Sequence, residues 1–341
     1  MRAMILNGVY DLSKGDSPLT LAEVPVPEPG YKEILVKVSA CGVCRTDLDE
    51  VEGRTAPSEY PMILGHQIIG RVAALGEGAS RFKTGDRVGI AWIHSACGKC
   101  EFCRSGMENL CYDFRATGRD AYGGYAEYTT VREDYAYAIP ESFSDEQAAP
   151  LLCAGAIGYR SLSLCNMKNG ANIGLVGFGA SAHLVLQLIK FLYPDSNIFV
   201  FTRSAAERQF AMELGASWAG DIGDEAPEKM RCIIDTTPAW KPVVEALKNL
   251  DRGGRLVINA IRKESRDKDY LLNLDYERDL WMEKEIKSVA NVTRKDVEEF
   301  LAAAEKIPIK PEVQVYDLKD ANRALREIKE GNIKGAKVLK I

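Results

Sequence analysis

The chain has 341 residues, 46% of them apolar and 27% charged, and its 44 basic and 49 acidic side chains leave a net charge of −5. That length predicts two domains, each with its own core. The mixed charges, with no basic stretch interleaved with aromatics, argue against a nucleic-acid partner, and no apolar run has the length of a membrane span. The opening residues, Met1 to Asn7, lack the long apolar run of a signal peptide. A cytoplasmic protein is therefore expected, with its nine cysteines as thiols and thiolates.

The first 150 residues carry short alternating runs at 33–38, 68–75 and 124–131, punctuated by Gly and Pro at 25–30 and 84–86. Residues 1–150 are expected to form an all-β, barrel-like domain. Within it, Cys41-Gly42-Val43-Cys44 is open to two readings, a thioredoxin-like redox pair or a source of one metal ligand. Neither a helix-capping pattern nor a βαβ unit surrounds it, which disfavours the redox pair. Cys44, His66 and Cys153 come from three separated segments and would give Zn2+ three protein ligands with one position open, the catalytic arrangement. Taken singly, each is as well explained as core filler. Trp92 and Ile93 read either as a substrate-pocket wall or as core.

Cys97, Cys100, Cys103 and Cys111 stand at C-x2-C-x2-C-x7-C spacing in a loop spanning 94–113. Four thiolates at that spacing close a tetrahedron around one Zn2+ and leave no open position, which makes a structural site. The competing reading, two disulfides, suits an oxidising compartment and is disfavoured by the odd cysteine count.

The pattern changes near Asp145. Strand-like runs at 172–176, 198–201, 232–235 and 255–259 alternate with helical runs at 184–192 and 206–214, which predicts a parallel sheet with right-handed crossovers over 151–285. The last stretch, 286–341, returns to mixed helix and strand and ends in a strand at 337–341 that could pair back onto the first domain.

The first of those strands runs into Gly177-Phe178-Gly179-Ala180-Ser181-Ala182-His183, the G-x-G-x-x-A form of the dinucleotide fingerprint. Gly177 permits the tight turn, Gly179 lets a pyrophosphate approach the backbone, and Ala182 lets helix and strand pack closely. Free amides at the helix start, from Ala180 and Ser181 onward, then face the phosphates. The second strand ends in Thr202-Arg203-Ser204, where an NAD site would place an acid for the ribose hydroxyls. Arg203 can pair with a 2′-phosphate and Ser204 can donate to it, so NADP(H) is the expected cofactor and NAD(H) the alternative.

Over essentially its whole length the chain resembles the zinc-dependent medium-chain dehydrogenase/reductase family, the zinc alcohol dehydrogenases. The resemblance is carried by 42–47 (GVCRTD), Gly65-His66, 85–88 (GDRV), the four-cysteine lobe, 123–128 (GGYAEY) and 151–155 (LLCAG). It implies a GroES-like first domain, a Rossmann second domain, and dimers or tetramers. It further implies that Cys44, His66 and Cys153 bind a catalytic zinc, that Thr46 takes the alcohol proton, and that Asp47 orients His66. The metal would polarise a carbonyl or lower the pKa of an alcohol while hydride passes to or from the nicotinamide.

Three positions depart from the family pattern. Asp49 stands where many members have a relay histidine, and it could carry the proton itself. Gln67 replaces a glutamate beside the zinc histidine, keeping the shape and losing the charge. Ala336 occupies the place of a phosphate-binding arginine, for which Lys337 is the available substitute. The readings that follow are an NADP(H)-preferring alcohol dehydrogenase or aldehyde reductase; a relative specialised for cinnamyl alcohols or polyols, or using NAD; and a zinc- and nucleotide-binding protein without turnover. A metal-free quinone reductase is disfavoured by the ligand set.

Overall fold

The computed structural model describes residues 1–307, 309–331 and 335–341. Strand Glu33–Val43 organises the first unit because its apolar residues, Ile34, Val36, Val38 and Ala40 among them, are buried while Lys37 faces out. It pairs antiparallel with Ile68–Leu75 along one edge, with register shifts after Leu35 and Val38. Its other edge is shared by Tyr128–Arg132, opposite 33–37, and Ala336–Lys340, opposite 40–43. Three partners on one strand, with bulges between, bend the sheet. The C-terminal strand thus adds to the N-terminal domain, placing Leu339 opposite Cys41.

The order in this seven-stranded sheet is Ala136–Ala138, Arg87–Ile90, Ile68–Leu75, Glu33–Val43, Ala336–Lys340 and Val313–Asp317, with Tyr128–Arg132 branching off. The run expected at 124–131 is regular only from Tyr128. Gly123 and Gly124 instead press their backbone onto Leu64 and Gly65, and a Cβ on Gly123 would come within 2.1 Å of the Gly65 carbonyl.

The second unit is built on a six-stranded sheet in which every pair is parallel. Its order is Trp218–Gly220, Ile198–Phe201, Ile173–Val176, Met230–Asp235, Leu250–Ile258 and Glu285–Ser288. In chain order that is 3-2-1-4-5-6, the doubly wound arrangement whose crevice opens at the carboxyl ends of the central strands. Strands Ile173–Val176 and Ile198–Phe201 are buried throughout, as strands covered on both faces must be. Clustering of the contacts assigns 1–156, 292–305 and 310–341 to the first unit and 157–291 with 306–309 to the second.

One expectation is overturned here. Cys165 and Cys232 form a disulfide, so the cysteines are not all thiols. Both are buried, Cys165 just beyond helix Ala154–Leu164 and Cys232 within strand Met230–Asp235, with 5.7 Å between their α-carbons. Packing of that helix end against the strand brings together two cysteines that stand 67 residues apart. Among the described residues no helix is long and apolar enough to cross a membrane.

Candidate active site

Strand Glu33–Val43 ends in an extended Cys44 that caps helix Arg45–Val51. The Asp47 carboxylate accepts from the Cys44 amide at 2.8 Å, and the Cys44 sulfur accepts from the Thr46 amide at 3.4 Å. This capping box fixes the thiol and the carboxylate relative to one another before any tertiary contact is made. His66 arrives on a turn that only glycine can precede. Gly65 has φ +96°, and a Cβ there would lie 2.5 Å from the Tyr125 ring and 2.7 Å from the Cys41 sulfur.

His66 Nε2 lies 3.3 Å from the Cys44 sulfur, and Nδ1, on the far side of the ring, lies 3.4 Å from Asp47 Oδ1. Cys153 follows the short helical turn Ala149–Leu152, and the donor atoms of Cys44, His66 and Cys153 all fall within 4.8 Å of one another. Zinc bonds of about 2.3 Å to sulfur and about 2.05 Å to nitrogen, at a tetrahedral angle, would separate those two donors by about 3.5 Å. The observed 3.3 Å fits, and so does the two-thiolate, one-imidazole donor set. The Cys44 thiol is held well above its ordinary pKa, first by its hydrogen bond with Cys153 and then by burial. A cation at this point would compete directly with that proton. The same site explains His66: burial alone would lower its pKa, but Cys44 and Asp47 outweigh burial and raise it.

Trp92 and Ile93 both belong to the buried core of this unit, and the Trp92 ring stands edge-on to His66 at 4.9 Å. Thr46 is largely buried beside Cys44. Cys41 packs against Gly65 and Gly124, while Cys44 turns to His66 and Cys153; the expectation that no helix-capping pattern surrounds the pair is overturned, because Cys44 caps helix Arg45–Val51.

In the 94–113 loop the four cysteine sulfurs also lie within 4.8 Å of one another, and all four are free thiols. The Cys97 and Cys103 sulfurs are 3.9 Å apart, against about 3.8 Å for the edge of a zinc–sulfur tetrahedron. Amides of Lys99 and Cys100 point at the Cys97 sulfur at 3.5 and 3.3 Å and draw its pKa down to about 6, which favours the thiolate a metal needs.

The fingerprint lies where the first strand of the parallel sheet meets helix Ala182–Leu192. Gly177 has φ +79°, and a Cβ there would meet the Thr236 hydroxyl at 2.8 Å. A Cβ on Gly179 would meet nothing within 4 Å, so that backbone stands open to a ligand, and Ala182 is fully buried at the helix start. Arg203 is exposed, and the Ser204 hydroxyl oxygen accepts from the Glu207 amide at 3.3 Å.

A family model described as the alcohol dehydrogenase GroES-like domain matches residues 30–141. A probable alcohol dehydrogenase of Mycobacterium tuberculosis is 43% identical over 329 residues, covering 95% of this chain and 93% of that protein. The chain belongs to the zinc-dependent medium-chain dehydrogenase/reductase family. An alcohol dehydrogenase of Geobacillus stearothermophilus is 34% identical over 95% of this chain and 96% of its own length. The acetophenone reductase of Geotrichum candidum, solved in complex with NAD, superposes with a TM-score of 0.84 at 26% identity, covering all of this chain and 97% of its own. The chain is therefore an enzyme of the alcohol dehydrogenase type, with a GroES-like domain and a Rossmann domain.

Against the family pattern, Gln67 is buried, and its side chain packs over Gly42, where a Cβ would come within 2.7 Å of Oε1. Lys337 is also buried. Its ammonium is engaged by Gln314 at 2.7 Å, Tyr316 at 2.7 Å and Glu327 at 2.5 Å, which leaves it a poor substitute for a phosphate-binding arginine. Asp49, the residue at the relay position, accepts from Arg54 Nε at 2.5 Å.

Two features of the Rossmann domain escaped the sequence reading. Glu207, in the first turn of helix Ala205–Glu213, accepts from the Thr202 hydroxyl and so brings an acid to a strand end that has none of its own. The Ser204-x-x-Glu207 capping pattern was the available signal. Lys263 reaches the buried Asp235 at the end of strand Met230–Asp235, from a loop whose sequence gives no hint of it.

Proposed function

We propose that the enzyme moves a hydride between NADP(H) and a primary or secondary alcohol or its carbonyl, with two zinc ions per chain, one catalytic and one structural. The observation that carries this reading is the convergence of Cys44, His66 and Cys153 in front of Asp47. Zinc supplies a Lewis acid for the substrate oxygen, and the nicotinamide supplies or accepts the hydride.

The chain's own residues do the rest. The Thr46 hydroxyl accepts the proton of an alcohol and returns it to an alkoxide. Asp47, beside Nδ1 at 3.4 Å, favours the Nδ1–H tautomer of His66, which would leave the Nε2 lone pair available to hold a zinc ion. Trp92 closes one side of His66 and excludes water from it. The amides of Ala180, Ser181 and Ala182 receive the pyrophosphate at the open backbone of Gly179. Arg203 pairs with the 2′-phosphate, and Ser204, whose oxygen is already accepting from Glu207, donates its O–H to the same group. Glu207 keeps NAD(H) within range, because a carboxylate at this turn can accept from ribose hydroxyls.

Asp49 is reassigned in this reading. A carboxylate already engaged in an ion pair with Arg54 is a weak proton acceptor, so Asp49 fastens its helix and the proton leaves Thr46 by water. A cytoplasmic homodimer or homotetramer completes the proposal, assembled on the edge strand Glu285–Ser288, all of whose residues are exposed. No nucleic acid or membrane takes part.

The test is initial rates with primary and secondary alcohols and their carbonyls, NADPH and NADH side by side, on protein of measured zinc content. Arg203→Ala should raise KM for NADPH about tenfold or more, the loss of one charge-assisted contact of roughly 1.5–3 kcal/mol, and leave NADH within about threefold. Equal effects on both cofactors, or a wild-type preference for NADH, would overturn the cofactor assignment alone. Absence of turnover with every alcohol and carbonyl of the panel at full zinc loading would overturn the substrate assignment.

A further inference from the structure

Glu50 is fully buried, and neither of its carboxylate oxygens has a hydrogen-bond partner. An isolated buried carboxyl is costly enough that its position calls for a cause. It stands three residues after Asp47 on helix Arg45–Val51, on the same face, at a spacing that puts the two β-carbons about 5–6 Å apart. Two further buried polar atoms, Gln67 Nε2 and the Tyr125 hydroxyl, lack a hydrogen bond, and Asp47 Oδ1 and His66 Nδ1 meet only each other, at a long 3.4 Å.

Glu50 and Tyr125 are both fully buried, and each lies within electrostatic reach of Asp47. Tyr125 packs against Gly65, next to His66. Arg119 does not satisfy Glu50, because its guanidinium is engaged by Asp120 at 2.7 Å and lies over the Trp92 ring. Asp47 Oδ1 lies against His66 Nδ1, on the far side of the ring from the Cys44 sulfur.

We propose that Glu50 is a positioning residue for the catalytic metal, joining Asp47 and Tyr125 around a buried polar pocket behind His66 and acting on the metal through Asp47 and the imidazole, bridged by buried water. The pocket supplies what these orphaned atoms need, since buried waters characteristically satisfy several otherwise unpaired polar groups at once. Outer partners of this kind hold a ligating histidine in orientation and set its basicity. The inference rests on the reading of Cys44, His66 and Cys153 as a zinc site.

The test is equilibrium competition between the zinc-loaded full-length protein and a chromophoric zinc chelator. Wild type should release zinc in two classes, one from the four-cysteine lobe and one from Cys44, His66 and Cys153. Glu50→Leu removes the polar partner and fills the space; it should weaken the second class about 10- to 100-fold and leave the lobe unchanged. Glu50→Gln keeps a hydrogen-bonding head of the same shape and should restore affinity to within about threefold of wild type. Both zinc classes within threefold of wild type in Glu50→Leu, or both weakened alike, would overturn the proposal, the latter outcome pointing to a general structural role. A single zinc class in wild type, from the lobe alone, would instead overturn the catalytic-site reading on which it rests.

Discussion

Removing Lys263 tests whether one buried ion pair holds the crevice end of the Rossmann sheet. Asp235 is fully buried, and its carboxylate accepts from Lys263, from the Thr237 amide at 3.1 Å and from the Thr237 hydroxyl at 2.7 Å. The Lys263 ammonium also donates to the carbonyls of Thr237 at 2.8 Å and Ala239 at 3.0 Å. Lys263→Met therefore strands a buried carboxylate and unpairs two carbonyls. Breaking a buried pair by deleting one partner costs about 3–5 kcal/mol. At about 2–4 °C per kcal/mol for a unit of this size, Tm should fall by roughly 6–20 °C.

The sign of the pH dependence is fixed by Asp235. Burial raises its pKa above the ordinary 3.8 even against the opposing pull of Lys263. Without that lysine the folded-state value rises further, so the folded state binds more protons than the unfolded state between the two pKa values, and stability falls as pH increases through that window. The deficit of Lys263→Met should be larger at pH 8 than at pH 5, read by urea denaturation at both values. Lys263→Met/Asp235→Asn should recover most of the loss, because no buried charge remains. A deficit below about 1 kcal/mol, or one equal at pH 5 and pH 8, would refute the argument.

Asp47→Asn should weaken zinc at the Cys44, His66 and Cys153 site about 10- to 100-fold, as loss of a ligand-orienting carboxylate does, with zinc content after dialysis against a chelator as the measurement. Asp49→Asn should cost about 1–2 kcal/mol of stability by weakening one of the two carboxylate contacts of Arg54, the other being with Glu52, and change kcat by less than about threefold; a tenfold fall in kcat at unchanged stability would restore Asp49 to the proton path. Cys103→Ser should lower the zinc content by one equivalent and lower Tm, while the activity per remaining folded molecule persists, because a closed four-thiolate site does no chemistry.

Much of the candidate site was legible because its constraints are local. The spacing of Cys97, Cys100, Cys103 and Cys111 brings four sulfurs within bonding range of one ion in a single loop, and the fingerprint glycines follow from backbone geometry at Gly177 and from ligand access at Gly179. The capping box that fixes Cys44 and Asp47 is also a relation between residues three apart, yet it was not legible, because a cysteine is an unusual cap and no capping pattern is expected at 41–44. The central strands Ile173–Val176 and Ile198–Phe201 read as apolar runs because both of their faces are covered.

What the sequence by itself determined is therefore the kind of unit each segment makes: a β-rich first domain, a parallel sheet after it, a thiolate lobe, a dinucleotide turn. Local spacing and hydrophobic period depend only on near neighbours along the chain. The tertiary structure alone decided which distant groups meet. It paired Cys165 with Cys232, engaged Lys337 with Glu327 and Tyr316, turned Glu207 toward Thr202, set Lys263 on Asp235, and buried Glu50. Each of these depends on how one element packs on another, and a buried charge takes its partner from whatever that packing brings within reach, however far away it lies in sequence.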